Sequence, residues 1–215
     1  MQNTSLVRSR AKDVAFTGLF IALIAVSAWI TVPIGPVPVT MQMFAIPLAI
    51  CVLRPTVAIS AIYGYELLGA LGVPVFSGMR GGIGVLLGPT GGFLIGYLLA
   101  VPAACILLYF ARKAGLVPAV NAPDPLAPAA SWAARIGRAV RASGVFFICG
   151  IVFTVISYAF GVLWFMQMSN VGVEAALATC VIPFIIPDLV KIVLAAGMAN
   201  ALAPVAYARS VGARA

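Results

Sequence analysis

The segment GPTGGFLIGYLLAVPAACILLYF, residues 88–110, decides the class of fold. It carries no charged side chain and is long enough to cross the hydrocarbon core of a bilayer as a helix. The rest of the chain has the same character, since 63% of its 215 residues are hydrophobic and only 8% are charged, against about 25% in a typical soluble domain. The sequence therefore predicts an all-α integral membrane protein.

Further apolar runs lie on both sides of this segment, and we predict one membrane domain over residues 1–215. The six predicted spans lie at about 14–32, 40–53, 56–71, 88–110, 145–168 and 175–203, and the last is broken by Pro183 and Pro187. A cytoplasmic linker is predicted at about 112–143. No small-residue cleavage site follows the basic N-terminus, so we expect the first span to be retained.

The basic residues are distributed unequally between the two sides of the predicted membrane domain. The chain has 13 Lys and Arg against 5 Asp and Glu. With a cytoplasmic N-terminus, every basic residue lies on the cytoplasmic side except Arg80, in an outer loop, and Lys191, within the last span. This distribution follows the positive-inside rule and predicts that both termini are cytoplasmic. Because the cations flank apolar segments, we expect the lipid bilayer as a partner and no nucleic acid.

The second half of the linker, residues 132–141, allows two interpretations. Arg135, Arg138 and Arg141 share one side of a possible helix, and apolar residues share the other. The segment is then either an interfacial helix on anionic cytoplasmic lipid or a linker whose basic cluster sets the topology.

Asp188 and Lys191 are ionisable residues within the last apolar span, IIPDLVKIV (185–193). An ionisable side chain at the centre of a membrane helix costs about 2.5–3.5 kcal/mol on insertion scales, so those that occur are candidates for function. The two residues are three apart and share a helix face, and Pro187 suits the first helical turn. They indicate a polar binding site near the outer side, although a pair that serves only structure would have the same spacing.

The glycine-rich segment FSGMRGGIGVLLGPTGG, residues 76–92, surrounds Arg80 and is predicted to face outward. Glycines allow backbone turns and expose N–H groups, so Arg80 with Gly81 and Gly82 could cradle an anionic ligand. The alternative is a connector with a solvated arginine. No GxxxxGK[ST] motif is present anywhere in the chain, so we do not expect this protein to bind ATP itself.

Glu66, in YGYELLGA, is a third ionisable residue in an apolar run. It could pair with Arg80 or Lys191, or reach the membrane interface, and we expect a structural role rather than contact with a ligand.

Small side chains on the first span suggest a packing surface, and the histidine and cysteine content gives little support for a metal centre. Gly18 and Ala22 form a small-xxx-small pair on the first span, which serves either internal packing or a partner helix. The chain has no histidine, and its four cysteines lie in apolar runs without CxxC spacing, so they are predicted to pack as small hydrophobes. No metal or other cofactor is expected.

Four stretches of this sequence resemble the BioY family, the biotin-specific substrate-binding (S) components of energy-coupling factor (ECF) vitamin transporters. They are GLFIALIAVSAWI (18–30), PIGPVPVTMQ (33–42), LLGALGVPVFSGMRGGIGVLLGPTGGFLIGY (67–97) and IPDLVK (186–191). The resemblance implies a bundle of six membrane helices in the bacterial inner membrane, with the vitamin site near its outer face. It also implies a transporter subunit with biotin as its ligand, rather than an enzyme.

For the site, the resemblance implies that Asp188 and Lys191 contact biotin and that the loop around Arg80 covers it. Asp188 can accept from the ureido N–H groups, and either Lys191 or Arg80 can meet a carbonyl or the carboxylate. Gln42, Tyr65 and Phe76 are the candidates for the wall of the pocket.

The resemblance further implies a partner, an ECF module of one transmembrane coupling subunit and two ATPases, docking at Gly18 and Ala22. Whether the chain works with this module, alone or as a homo-oligomer stays open from the sequence. A membrane enzyme is the competing hypothesis, but the chain has no histidine and no nucleophile beside a base. The family usually has an apolar residue where this chain has Glu66.

Overall fold

The structure, a computed structural model, describes residues 2–117 and 132–211, and the side chains of residues 10–117 and 136–202. In this part of the chain the fold is a helical bundle with one short hairpin. Its elements are α1 (Gln2–Trp29), β1 (Thr31–Val32), β2 (Val39–Thr40), α2 (Gln42–Val52), α3 (Pro55–Ala70), α4 (Ile83–Leu86), α5 (Gly91–Lys113), α6 (Trp132–Ser169), α7 (Val173–Cys180) and α8 (Ile182–Val211). The all-α prediction is confirmed.

In the described part of the chain, four helical segments are long and apolar enough to cross a membrane by length and composition. They are Arg10–Trp29, Gly91–Lys113, Ile136–Ser169 and Ile182–Leu202. The shorter helices α2 and α3 occupy the predicted spans at 40–53 and 56–71. Pro47 lies within α2 without ending it, and Pro55 stands at the start of α3, where its missing N–H costs no helical hydrogen bond.

The first predicted span ends earlier than expected. Helix α1 stops at Trp29, and residues 31–40 form a hairpin in which Thr31 pairs with Thr40. The two prolines at 36 and 38 favour an extended or turn conformation over helix. The backbone N–H of Met41 donates to the carbonyl of Ser27, which fixes the returning strand against α1.

The last predicted span is two helices, and its break lies before the residues expected to cause it. Helix α7 ends at Cys180, Val181 leaves the helical conformation, and α8 continues through both Pro183 and Pro187. Pro183 occupies the first turn of α8, where its N–H would have no partner. Pro187 lies one turn further in, so the prediction that it occupies the first turn is wrong.

The predicted linker at 112–143 coincides with helix at both ends. Helix α5 continues to Lys113, and α6 begins at Trp132 and runs without interruption to Ser169. The segment 132–141 is thus the first part of α6 rather than a separate surface helix. Residues 118–131 of the predicted linker lie outside the described residues.

Glycines allow α5 and α6 to pack closely as antiparallel neighbours. A Cβ on Gly92 would collide with Trp164, and a Cβ on Gly96 would lie 3.0 Å from the Cβ of Phe160 and 3.2 Å from the Cα of Ser157. Such approach is typical of small residues at membrane helix interfaces, where dispersion contacts drive association. This packing sets the position of the C-terminal third of α6 relative to the first turns of α5.

We expect Gly96→Leu to lower the free energy of unfolding by about 1–3 kcal/mol, because the new side chain must displace α6 backbone. Thermal unfolding in detergent would measure this loss. Gly144→Leu is the matched control, since a Cβ there meets nothing within 4 Å. Equal melting temperatures for both variants would show that α5 and α6 do not pack in this way.

Candidate ligand-binding site

A buried ion pair on α8 forms the base of the site. Asp188 and Lys191 are only 3% and 7% exposed, although both are ionisable. The Nζ atom of Lys191 donates to Oδ1 of Asp188 at 2.8 Å and to the carbonyl oxygen of Thr40 at 2.9 Å. The hydroxyl of Tyr158, on α6, donates to Oδ2 of Asp188 at 2.7 Å. Each carboxylate oxygen thus accepts one internal bond, as a buried charge requires.

Gln42 forms a second polar wall, at the start of α2. Its Nε2 donates to the hydroxyl of Tyr65 at 2.9 Å, and its Oε1 accepts from the hydroxyl of Thr40 at 3.2 Å. Tyr65 is fully buried and meets Phe76 edge-to-face, with ring centroids 5.5 Å apart. Tyr65 therefore supports Gln42 from behind.

The segment around Arg80 closes the site at the same end of the bundle. Two backbone hydrogen bonds, one in each direction, join Phe76 and Arg80. Gly78 and Met79 between them have positive φ, a conformation that glycine adopts readily and other residues adopt rarely. The Nε of Arg80 donates to the carbonyl of Ser77 at 3.1 Å. Arg80 is exposed at the rim of the site. Among the described residues it forms no salt bridge.

Gly81 and Gly82 shape this segment but do not line the cavity. A Cβ on Gly81 would collide with backbone of Gly72 and Val73. Gly82 has φ +93°, and its N–H donates to the carbonyl of Gly69 at 2.6 Å. Both positions therefore determine the backbone conformation of the segment.

Between these walls lies a cavity of about 600 Å³, part of which is open to the surroundings. The polar residues that line it are Thr40, Gln42, Ser77, Arg80, Thr90, Tyr97, Tyr158 and Asp188. Its aromatic apolar residues are Phe76, Phe93 and Phe184. The arrangement suits a ligand with an apolar body, polar groups at one end and a negative charge at the other.

The structure places the predicted site residues at different distances from this cavity. Arg80, Asp188, Gln42 and Phe76 line it, whereas Lys191 and Tyr65 stand behind it. Sequence reasoning missed Tyr158, Tyr97 and Phe93. Tyr158 had a usable signal, because a hydroxyl within an apolar span needs a hydrogen-bond partner.

Glu66 pairs with neither of the cations proposed for it from the sequence. Its side chain is only 7% exposed, and its Oε1 has no hydrogen-bond partner among the described residues. Lys191 is already bonded to Asp188, and Arg80 to Ser77. Among the described residues Glu66 therefore forms neither of the two ion pairs that the sequence allowed, and its buried carboxyl does not reach the interface.

Gly18 and Ala22 lie on an exposed face of α1. A Cβ on Gly18 would meet nothing within 4 Å in the described part of the chain, so the pair does not serve packing inside this bundle. The four cysteines are free and buried, as predicted. Within the described ranges, no group of three or more His, Cys, Asp or Glu residues is placed to hold a metal ion.

Apolar helices around a cavity of this kind, with a buried ion pair at its base, define a multi-pass membrane protein with a candidate ligand site. The fold is similar to that of the S-component for biotin from an ECF-type ABC transporter, with a TM-score of 0.68 over 91% of this chain and 92% of that one, at 23% identity. Residues 1–208 match the sequence model of the BioY family, so the chain belongs to that family.

Relatives from distant organisms match over nearly their whole length. The probable biotin transporter BioY of Pyrococcus horikoshii is 35% identical over 193 residues, which cover 90% of this chain and 97% of that protein. The biotin transporter BioY of Thermotoga maritima is 35% identical over 83% of this chain and 88% of its own. That of Rhodobacter capsulatus is 34% identical over 89% and 93%.

Glu66→Leu is expected to raise the melting temperature of the detergent-solubilised protein, because a buried polar group without a partner costs about 1–3 kcal/mol. Glu174→Leu should not raise the melting temperature. Glu174 is exposed in the first turn of α7, where its negative charge interacts favourably with the helix dipole. A lower melting temperature for Glu66→Leu would reveal a stabilising bond to the carboxyl.

Proposed function

We propose that this protein binds biotin in the cavity and is the substrate-capture subunit of a transporter that takes the vitamin up. The observation that carries this proposal is the Asp188–Lys191 pair at the base of a cavity whose rim holds Arg80, in a chain of the BioY family. The full-length relatives are named biotin transporters, which supports transport over an enzymatic role.

The chemistry of biotin matches the two ends of the cavity. Its ureido ring offers two N–H donors and a carbonyl acceptor. Two residues that line the cavity match them: the Asp188 carboxylate accepts hydrogen bonds, and the Gln42 amide can both donate and accept. The positive charge of Lys191 is already balanced by Asp188. We therefore place the ureido ring at Asp188 and the carboxylate at Arg80, with Lys191 acting through Asp188.

In this proposal α1, α2, α3, α5, α6 and α8 are the six spans, and both termini are cytoplasmic. The positive-inside distribution of the sequence supports the orientation. Arg54, at the start of α3, forms a salt bridge with Asp13, and Arg112 donates to the carbonyl of Cys51 at 3.0 Å. These cations lie at the end of the bundle opposite Arg80, so the cavity opens outward. We place the protein in the bacterial inner membrane, as its membership of the BioY family implies.

The driving force for uptake would come from an ECF module. The sequence has no Walker motif, so ATP hydrolysis must take place in a partner. The exposed face of α1 at Gly18 and Ala22 offers the small residues that close contact between membrane helices requires. We place the transmembrane coupling subunit of the module, with its two ATPases, on this face.

Lys191→Ala should weaken biotin binding by about ten- to hundredfold, because a bond to a charged group contributes about 1.5–3 kcal/mol and Asp188 loses its counter-charge. Calorimetry on the purified protein measures the dissociation constant. Lys113→Ala, at the far end of α5, is the control and should bind as the unmodified protein does. Unchanged affinity in folded Lys191→Ala would show that the pocket is elsewhere.

Gly18→Trp should abolish ATP-dependent biotin uptake in cells that express the module, while binding in detergent persists. The indole would hold the partner helix away from α1 and leave the cavity untouched. Gly197→Trp is the matched control, since this glycine of α8 is also exposed and has nothing within 4 Å of a built Cβ. Normal uptake by Gly18→Trp would contradict docking at this face.

A further inference from the structure

The end of α1 is hydrogen-bonded to the segment that carries Arg80. The indole Nε1 of Trp29 donates to the carbonyl of Pro74 at 2.9 Å. The hydroxyl oxygens of Thr31 and Ser77 lie 3.0 Å apart. Both contacts join residues more than forty positions apart in the sequence. Pro74 and Ser77 lie in the non-helical segment between α3 and α4, residues 72–82.

The direction of the Thr31–Ser77 bond follows from the number of protons available. The Thr31 hydroxyl also lies 2.6 Å from the carbonyl oxygen of Ala28, which can only accept. Because a hydroxyl has one proton, Thr31 donates it to Ala28 and must accept from Ser77. The bonds therefore form a directed chain from Ser77 through Thr31 to the last turn of α1.

Ser77 connects this chain to the guanidinium group. Its carbonyl oxygen accepts from the Nε of Arg80 at 3.1 Å, which leaves the two terminal nitrogens of Arg80 free to act at the cavity that this residue lines. Ser77 thus accepts a hydrogen bond from Arg80 through its carbonyl, and through its hydroxyl it donates to Thr31, just after the end of α1. The guanidinium is held at one end and available at the other.

An arginine without such support would bind a ligand less well. Arg80 is exposed, and Gly78 and Met79 just before it have positive φ, so the turn does not share the regular hydrogen bonding of a helix. An arginine side chain loses about 2 kcal/mol of rotamer entropy when it is fixed. Attachment to α1 removes part of this loss before the ligand arrives, because a preorganised group has less freedom to lose on binding.

We infer that Trp29, Thr31 and Ser77 are positioning residues that hold the guanidinium of Arg80 for the anionic end of the ligand. The inference rests on the proposed function, since it takes biotin as the ligand and its carboxylate as the group that meets Arg80. It assigns to the outer end of α1 a role in ligand selectivity, separate from any contact of its Gly18 face with a partner.

Biotin and its methyl ester distinguish this role from a structural one, because the ester lacks the negative charge that Arg80 would meet and otherwise adds only a methyl group. The quantity to measure is the ratio of the two affinities, by calorimetry on the purified full-length protein. Thr31→Val and Trp29→Phe should each weaken biotin binding by about three- to tenfold and leave the ester unchanged. Ser77→Ala, which removes one hydroxyl, should do the same and remains available if Trp29→Phe fails to fold.

Two controls match these substitutions. Thr179→Val removes a hydroxyl that donates within α7, to Ala175, and Trp164→Phe removes an indole N–H that donates to Gly88. Both should leave the affinity ratio unchanged. In an Arg80→Gln background, where biotin has lost its cation, Thr31→Val should have no further effect on the ratio.

The outcomes separate this inference from the proposed function. Binding of neither compound to the unmodified protein would refute the proposed function. Equal affinity of the unmodified protein for both compounds would overturn the inference and the placement of the carboxylate at Arg80, while biotin binding itself would stand. An equal loss for biotin and ester in Thr31→Val and Ser77→Ala would overturn the inference alone, as would an effect of Thr31→Val on the ratio that persists without Arg80.

Discussion

The bond network around the Asp188 carboxylate is the interaction on which the site depends. A charge in this environment is stable only if its partners are in place, because burial removes the water that would otherwise solvate it. Asp188 accepts from Tyr158 of α6 and from Lys191, one turn further along α8, and Lys191 also donates to the carbonyl of Thr40 in β2. The requirement to satisfy both charges of this ion pair therefore fixes the hairpin and two long helices relative to each other.

This network also divides the charge of the cavity into two parts. At its base, Lys191 and Asp188 neutralise each other and present hydrogen-bonding groups without net charge. At its rim, Arg80 has no anionic partner among the described residues and remains exposed. A neutral polar base and a cationic rim suit a ligand whose charge lies at one end only, and they orient that ligand in the cavity.

Close packing between helices makes this arrangement possible in a small chain. Glycines let α5 approach α6 at Gly92 and Gly96, and a Cβ on Gly150 of α6 would collide with Ile192 of α8. Each contact brings a helix backbone near the site without a side chain to fill the space. The same helices can then supply Tyr97 and Tyr158 to the cavity, while their outer faces stay apolar for the lipid.

The sequence by itself determined the class of protein, the approximate helices and the motifs of the site. Apolar length, the IPDLVK motif and the glycine-rich segment carry those properties locally, through helix period and backbone freedom. Only the tertiary structure decided that Lys191 donates to the carbonyl of Thr40, 151 residues away, and that Tyr158 donates to Asp188. It also decided that Oε1 of Glu66 has no hydrogen-bond partner among the described residues. Periodicity predicts which residues share a helix face, but the partner across an interface depends on how distant segments pack, which no local pattern records.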